Sequence, residues 1–404
     1  MRRHTLGLGL NTVRAALALC LVAIGVAACG GSSSSSSSSS SGGASGSSGG
    51  GTMKLAFSGT LSGPFATYAQ QMRQGVDLAV SEINGAGGID GKQLDVSYAD
   101  DRGKPENGIV IAQRFCNDKS SAVLGYSVST VALAALPTFE RCQLPVVASA
   151  TTSPKFTGLS DFYFRTVLSD AVVAGEGARY AVQELGKKRL AVMYQKDDYG
   201  EGGDKSFVDA AKAAGAEIVY DQGYQLGSTN FLSQLTKIKA SKPDMIFLSS
   251  FYPEAARIAQ QAKQLGMNVP FLGLDGVLSP DLPKLAGTSA EGMLVLGYFN
   301  PSSGSAGAKV SSFVDAFKKK YNEAPSDWSA LAYDAVYAVK SAAASSKGTD
   351  RGAIAKGLPN AQFDGATGGV SFDKGDRKGN AVVFEVKGKD FVPAEKQPAA
   401  AATS

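Results

Sequence analysis

From Met53 onward, apolar runs of strand length alternate with longer stretches of helical period, and the alternation is carried through twice. Strands separated by single helices lie parallel, because each crossover returns the chain to the same end of the sheet, and the helices must then cover both faces. The first round places strands at 54–58, 94–98, 122–124 and 146–148, with helices at 105–117 and 129–141. Met72, Val76, Val80 and Ile83 form the apolar stripe of a further helix, which stops at Asn84-Gly85 and turns through Gly87-Gly88. The second round places strands at 189–194, 217–220, 245–248 and 271–274, with helices at 201–214, 229–240 and 254–265. A strand at 292–297, helices at 309–321 and 327–345 and a last strand at 381–386 complete the pattern. The expected class is α/β, with two doubly wound parallel-sheet lobes. Ligands of such sheets sit beyond the carboxyl ends of the strands, so two facing lobes enclose one cleft.

Length and charge narrow the function. The chain has 404 residues, 44% hydrophobic and 19% charged, enough for two cored lobes and outside the disordered class. Its one histidine is His4. If residues 1–28 are removed on export, histidine catalysis and histidine metal sites go with them. The same cut takes Arg2, Arg3 and Arg14 from the 40 basic residues and leaves 37 against 36 acidic ones. Nothing in that balance asks for nucleic acid or an anionic membrane surface.

The first 28 residues read as a secretory signal: a basic head at Arg2 and Arg3, an apolar run at 15–26, then Val26-Ala27-Ala28-Cys29. The run is shorter than the ~20 residues a membrane span needs and gives way to glycine and serine. Residues 30–51 are almost pure Gly and Ser, with ten serines in a row from Ser32 to Ser41, and form a flexible leash with a reach on the order of 25 Å. The 392–404 segment lacks periodicity and reads as a disordered tail.

Several short segments, in shared order and spacing, resemble the leucine/isoleucine/valine-binding proteins of bacterial ABC importers, which are type I periplasmic binding proteins. They are Ser62-Gly63-Pro64 with Tyr68, Ile83-Asn84 with Gly87-Gly88-Ile89, Asp100-Asp101, Asp198-Tyr199-Gly200-Glu201-Gly202, Pro253-Glu254, Gly276-Val277, Ala290-Glu291-Gly292, and Phe372-Asp373 with Gly375-Asp376. The resemblance covers about residues 53 to 390. It implies three hinge crossings, near 166–170, 298–300 and 373–380. Lobe one would hold 53–168 and 300–375, and lobe two 169–299 and 376–391, behind a signal at 1–28 and a linker at 29–52. VAAC resembles the bacterial lipobox, which implies a lipid on Cys29; ordinary cleavage near Ala28, leaving Cys29 free or paired, is the alternative. The implied protein is a monomeric periplasmic lipoprotein that touches a bacterial membrane only through its lipid anchor. It would carry a small-molecule ligand, an amino acid, to an ABC permease, and would need no cofactor or metal.

A free amino acid presents a carboxylate, an ammonium and a side chain. Gly125-Tyr126-Ser127-Val128-Ser129-Thr130 runs from a strand into a helix, where hydroxyls and free N–H groups favour an anion. Ser129 is either the first ligand contact or a helix N-cap. By the resemblance, Ala150 lends a backbone carbonyl and Thr152 a hydroxyl; the other reading of Ser149-Ala150-Thr151-Thr152 is a plain polar loop. Asp275 matches the acid that pairs with the ligand ammonium, where branched-chain binders carry the longer Glu; its other reading is a turn residue in Asp275-Gly276. Tyr68 and Tyr199 match aromatics that flank the ligand. Phe251 stands where those binders have Tyr, and Trp328 matches an aromatic wall; core packing is the other reading of all four aromatics.

Cys116 and Cys142 are the remaining cysteines of an exported chain, at the C-terminal ends of successive helices that run the same way, so a disulfide is expected. The family's own pair falls at positions matching Gly103 and Val128, and the alternative is two buried thiols.

Three other functions share these features in part. The same fold could bind an amide or an aromatic or aliphatic carboxylate, although an acid at Asp275 has little use for a ligand without a positive group. It could also serve as a ligand sensor. An enzyme is disfavoured, since there is no Gly-x-Ser-x-Gly elbow or P-loop, and Gly85-Ala86-Gly87-Gly88 follows a helix rather than a strand.

Overall fold

The computed structural model describes residues 50–300 and 307–399. The signal, Cys29, nearly all of the leash and the last residues of the tail lie outside the described residues.

The chain begins with strand β1 (Thr52–Gly59), helix α1 (Ala66–Gly85), β2 (Gln93–Asp100), α2 (Pro105–Asn117), β3 (Ala122–Gly125), α3 (Ser129–Arg141), β4 (Val146–Ala148) and β5 (Tyr163–Arg165). Then follow α4 (Asp170–Arg179), β6 (Arg189–Gln195), α5 (Asp198–Ala213), β7 (Glu217–Tyr224), α6 (Leu232–Ser241), β8 (Met245–Ser249), α7 (Tyr252–Gln264), β9 (Phe271–Gly273), α8 (Asp281–Ala286) and β10 (Leu294–Gly297). The last part comprises α9 (Ala308–Tyr321), α10 (Asp327–Ser346), α11 (Arg351–Gly357), β11 (Gln362–Gly365), β12 (Gly368–Asp373), β13 (Asp376–Arg377), β14 (Val382–Lys387) and β15 (Asp390–Pro393).

These strands form two sheets. The first runs β11-β12-β13-β5-β4-β3-β1-β2, and the second β15-β14-β10-β9-β8-β6-β7. Among themselves strands β1 to β5 pair in parallel, as do β6 to β10, and both sets are buried from end to end at their centres (β3, β4 and β8 throughout) as strands covered on both faces must be. Antiparallel pairing enters with the later strands at one edge of each sheet, β11–β12–β13 in the first and β10–β14–β15 in the second. Helix α10 packs along α1, and Gly75 makes the approach possible: a Cβ there would stand 1.9 Å from the Ser329 carbonyl oxygen. That contact fixes the start of α10, and with it Trp328.

Two boundaries differ from the sequence expectation. Asp376 and Arg377, assigned above to lobe two, pair with β5 and stay in the first sheet. The fully buried Arg165 explains this, since its Nε donates to Asp376 Oδ1 at 2.6 Å, while Arg377 donates to the Thr166 carbonyl at 3.1 Å and the Thr367 carbonyl at 2.8 Å. The segment from 392, expected to be disordered, is ordered up to Ala399: Val392 and Pro393 belong to β15, and the Gln397 side chain accepts from Val383 N–H and donates to the Val383 carbonyl, each at 2.9 Å. A polar side chain that extends the pairing of β14 beyond the end of β15 leaves no hydrophobic periodicity to read. Cys116 and Cys142 are joined by a disulfide with Cα atoms 5.9 Å apart, and Arg351 donates to the carbonyls of both.

Candidate ligand-binding site

Between the carboxyl ends of the two sheets lies a tight chamber, lined by Tyr68, Ser127, Ser129, Ala150, Tyr199, Phe251, Asp275, Gly276 and Trp328. Every residue singled out for ligand contact in the sequence lines it except Thr152.

Short loops after strands place these groups. Ser129 is the first residue of α3, and Val128 rather than Ser129 occupies the N-cap position. Its buried hydroxyl accepts from Ser153 N–H at 3.3 Å, so the capping alternative does not describe it. Ser127 accepts from Thr60 N–H at 2.9 Å. Thr152 sits behind the wall, fully buried, with its hydroxyl donating to Asp170 Oδ2 at 2.9 Å and its carbonyl accepting Asp170 N–H at 2.9 Å. Its one proton is thus engaged, and the hydroxyl is left to accept.

Across the chamber, Asp275 opens the turn after β9 and is 1% exposed. Tyr199, in the first turn of α5, donates its hydroxyl to Asp275 Oδ1 at 2.9 Å and accepts Gly276 N–H at 2.8 Å. Gly276 has no room for a side chain: a Cβ would lie 2.6 Å from that hydroxyl and 2.7 Å from the Ser250 carbonyl oxygen. Burial pushes the Asp275 carboxyl up to about 6, against the hydrogen bond from Tyr199 that lowers it.

Asp170, which the sequence reading passed over as a hinge position, is fully buried. Burial raises its pKa, and the charge of Asp275 raises it further. Its Oδ1 has no partner among the described residues. Two carboxylates therefore feel one another beside a chamber whose lining holds no basic side chain. Such an arrangement favours a cation. Ser169-Asp170 resembles any helix start, and only the fold brings it towards Asp275.

The walls are aromatic. Tyr199 and Phe251 stack with centroids 5.1 Å apart and planes 5° off parallel, Tyr68 packs on Phe251 at 5.8 Å, and Trp328 stands edge-on to Tyr68 at 5.5 Å. The mouth is shut by bonds between the two halves. Tyr68 OH donates to the Gly276 carbonyl, Thr67 to Asp281 at 2.7 Å, Tyr252 to the Pro64 carbonyl at 2.7 Å and Lys155 to Asp198 at 2.5 Å.

Among the described residues no helix is long and apolar enough to cross a membrane, and no group of His, Cys, Asp or Glu could hold a metal ion.

The profile of the periplasmic binding protein family matches residues 52–390. The Leu/Ile/Val-binding protein of Citrobacter freundii is 30% identical over 329 residues, 81% of this chain and 88% of that one. The crystal structure of a leucine-binding protein from Thermotoga maritima superposes with a TM-score of 0.81 at 27% identity, covering 85% of this chain and 97% of that one. The branched-chain amino acid transporter substrate-binding protein of Streptococcus pneumoniae, solved with isoleucine, gives a TM-score of 0.79 at 31% identity over 84% and 97%. A two-lobed fold, a closed cleft at the strand ends and a profile match across the whole folded body lead to one conclusion: this chain belongs to the periplasmic binding protein family.

Proposed function

We propose that the protein is an extracytoplasmic receptor for a small neutral amino acid of the branched-chain type, which it hands to an ABC permease. The observation that carries this reading is a small aromatic chamber lined by the Asp275 carboxylate and the hydroxyls of Ser127 and Ser129, with the buried Asp170 carboxylate close enough to feel the charge of Asp275. An ammonium fits the first and a carboxylate the second, with Ala150 offering its carbonyl and Thr152 its acceptor oxygen near Asp170. Tyr68, Tyr199, Phe251 and Trp328 then surround the side chain. The names of the relatives support the ligand class, and their being binding proteins supports a role without catalysis.

Closure and binding are one event in this scheme. Two buried carboxylates with no ion-pair partner of their own in the chamber resist burial, and a ligand ammonium relieves them only when both lobes contribute, so the ligand stabilises the closed form by its differential affinity. The lobes would hinge where the chain passes between the sheets, after Arg165, after Gly297 and after Arg377. A lipid on Cys29 and a Gly/Ser leash would keep a monomeric receptor near its permease.

Calorimetric titration with leucine, isoleucine, valine, alanine, threonine and benzoate tests the reading. Tight binding of an aliphatic amino acid and none of benzoate is expected; the reverse order would replace the amino acid with an aromatic acid.

A further inference from the structure

Trp328 borders two cavities. On its inner side is the tight binding chamber of about 10 Å³, and on its outer side a larger cavity of about 320 Å³. We infer that the Trp328 indole is the partition that sets ligand length: it ends the binding chamber, and its removal joins the two cavities into a site for long-chain amino acids. This rests on the amino-acid reading above.

The indole is held as a partition must be. It lies in the first turn of α10, behind a capping box in which Ser326 and Ser329 satisfy each other's backbone N–H groups. It is 3% exposed. Its Nε1–H donates to the Leu278 carbonyl at 3.2 Å, a bond from a helix packed on α1 to the loop beyond β9. Tyr68 and Tyr298 meet it edge-on at 5.5 and 6.0 Å and leave no slack on the inner face.

The outer cavity can receive an apolar chain. Leu278, Phe299, Phe317, Phe384 and Phe391 line it; the charged Glu323, Lys389 and Asp390 are exposed at its rim, and the buried Asp327 carboxyl is engaged by the Tyr298 and Phe299 N–H groups. Nothing in that lining offers a second head-group site as complete as Asp275 with Ser129, so a ligand would keep its head in the inner chamber and extend its tail outward.

The test compares leucine with 2-aminooctanoic acid by calorimetry on wild type, Trp328→Ala and Trp328→Leu. Wild type is expected to prefer leucine by at least about tenfold, since the longer chain meets the indole. Each newly buried methylene is worth roughly fourfold in affinity, so Trp328→Ala should shift the ratio of the two constants by at least about tenfold towards 2-aminooctanoic acid. A general loss of packing weakens both ligands and leaves that ratio unmoved. Should Trp328→Ala fail to fold, Trp328→Leu, which keeps an apolar group against Tyr68, must show the same direction of change. A variant that still binds leucine with the wild-type ratio overturns the inference and spares the amino-acid reading. A wild-type protein that binds no amino acid overturns both.

Discussion

The Tyr199 hydroxyl stands between the Asp275 carboxylate and the Gly276 backbone, donating to the first at 2.9 Å and accepting from the second at 2.8 Å. One phenol thus orients the carboxylate that faces the chamber and satisfies the N–H beside it. Because Tyr199 comes from α5 and Asp275 from the end of β9, the pair also ties two separate crossovers of the second sheet together.

Tyr199→Phe leaves a buried N–H and a buried carboxylate oxygen each short of a partner. Unsatisfied buried groups cost about 1–3 kcal/mol, and amino-acid affinity should fall by roughly five- to a hundredfold. Titration calorimetry checks this, and wild-type affinity would show that the phenol does not support the carboxylate.

Asp275→Ala should weaken amino-acid binding by a factor on the order of 30 or more, because truncating one partner of a desolvated charge pair costs about 2–5 kcal/mol. Ser129→Ala removes one neutral hydroxyl, worth roughly 0.5–1.5 kcal/mol, and should cost about tenfold or less. The reverse order of these effects would place the dominant contact on the carboxylate side.

Binding should weaken in mild acid. The Asp275 carboxyl titrates near 6 in the closed, ligand-free form against an ordinary value of 3.8, so that form holds an extra proton between those values and loses stability as pH rises through them. An ammonium ligand needs the deprotonated carboxylate, so affinity should be about tenfold lower at a pH one unit below 6 than near neutrality, and the dependence should flatten in Asp275→Asn. Affinity that rises in acid would contradict the account.

The parts of this architecture visible in the sequence were those with strong local rules. Pro105 and the apolar period after it fix α2, and the strand-to-helix turn before Ser129 fixes α3, so both helices run over the expected residues. β5 and β11 to β13 escaped, being two to six residues long, and β11 and β12 lie at a sheet edge with a single buried residue each. Ser129 and Asp275 stand at a helix start and a strand end, and the family resemblance singled them out together with Tyr199. Asp170 could not be picked out, since its signal is a plain helix start, and the engagement of Thr152 by Asp170 depends on two loops meeting. The outer cavity beside Trp328 is assembled from both sheets and leaves no local trace.

Arg165 should prove the costliest single loss for stability. It is the largest fully buried side chain, and besides Asp376 it donates to the Ser153 carbonyl at 3.0 Å. Breaking a buried ion pair costs about 3–5 kcal/mol; Asp376 is partly open to water, so Arg165→Met should lower the unfolding free energy by about 3 kcal/mol, measured in urea. A loss below about 1 kcal/mol would mean that β13 is held to β5 by its backbone pairing alone.

The central claim is that the cleft closes on an ammonium, and the most direct test leaves the protein unaltered. Leucine and 4-methylpentanoic acid share the carboxylate and the branched chain and differ in the amino group. Titrated into the wild-type protein at neutral pH, leucine should bind more tightly by a factor on the order of 30 or more, the worth of a desolvated charge pair. Equal affinities would show that no ammonium meets Asp275 and Asp170, and would contradict the account.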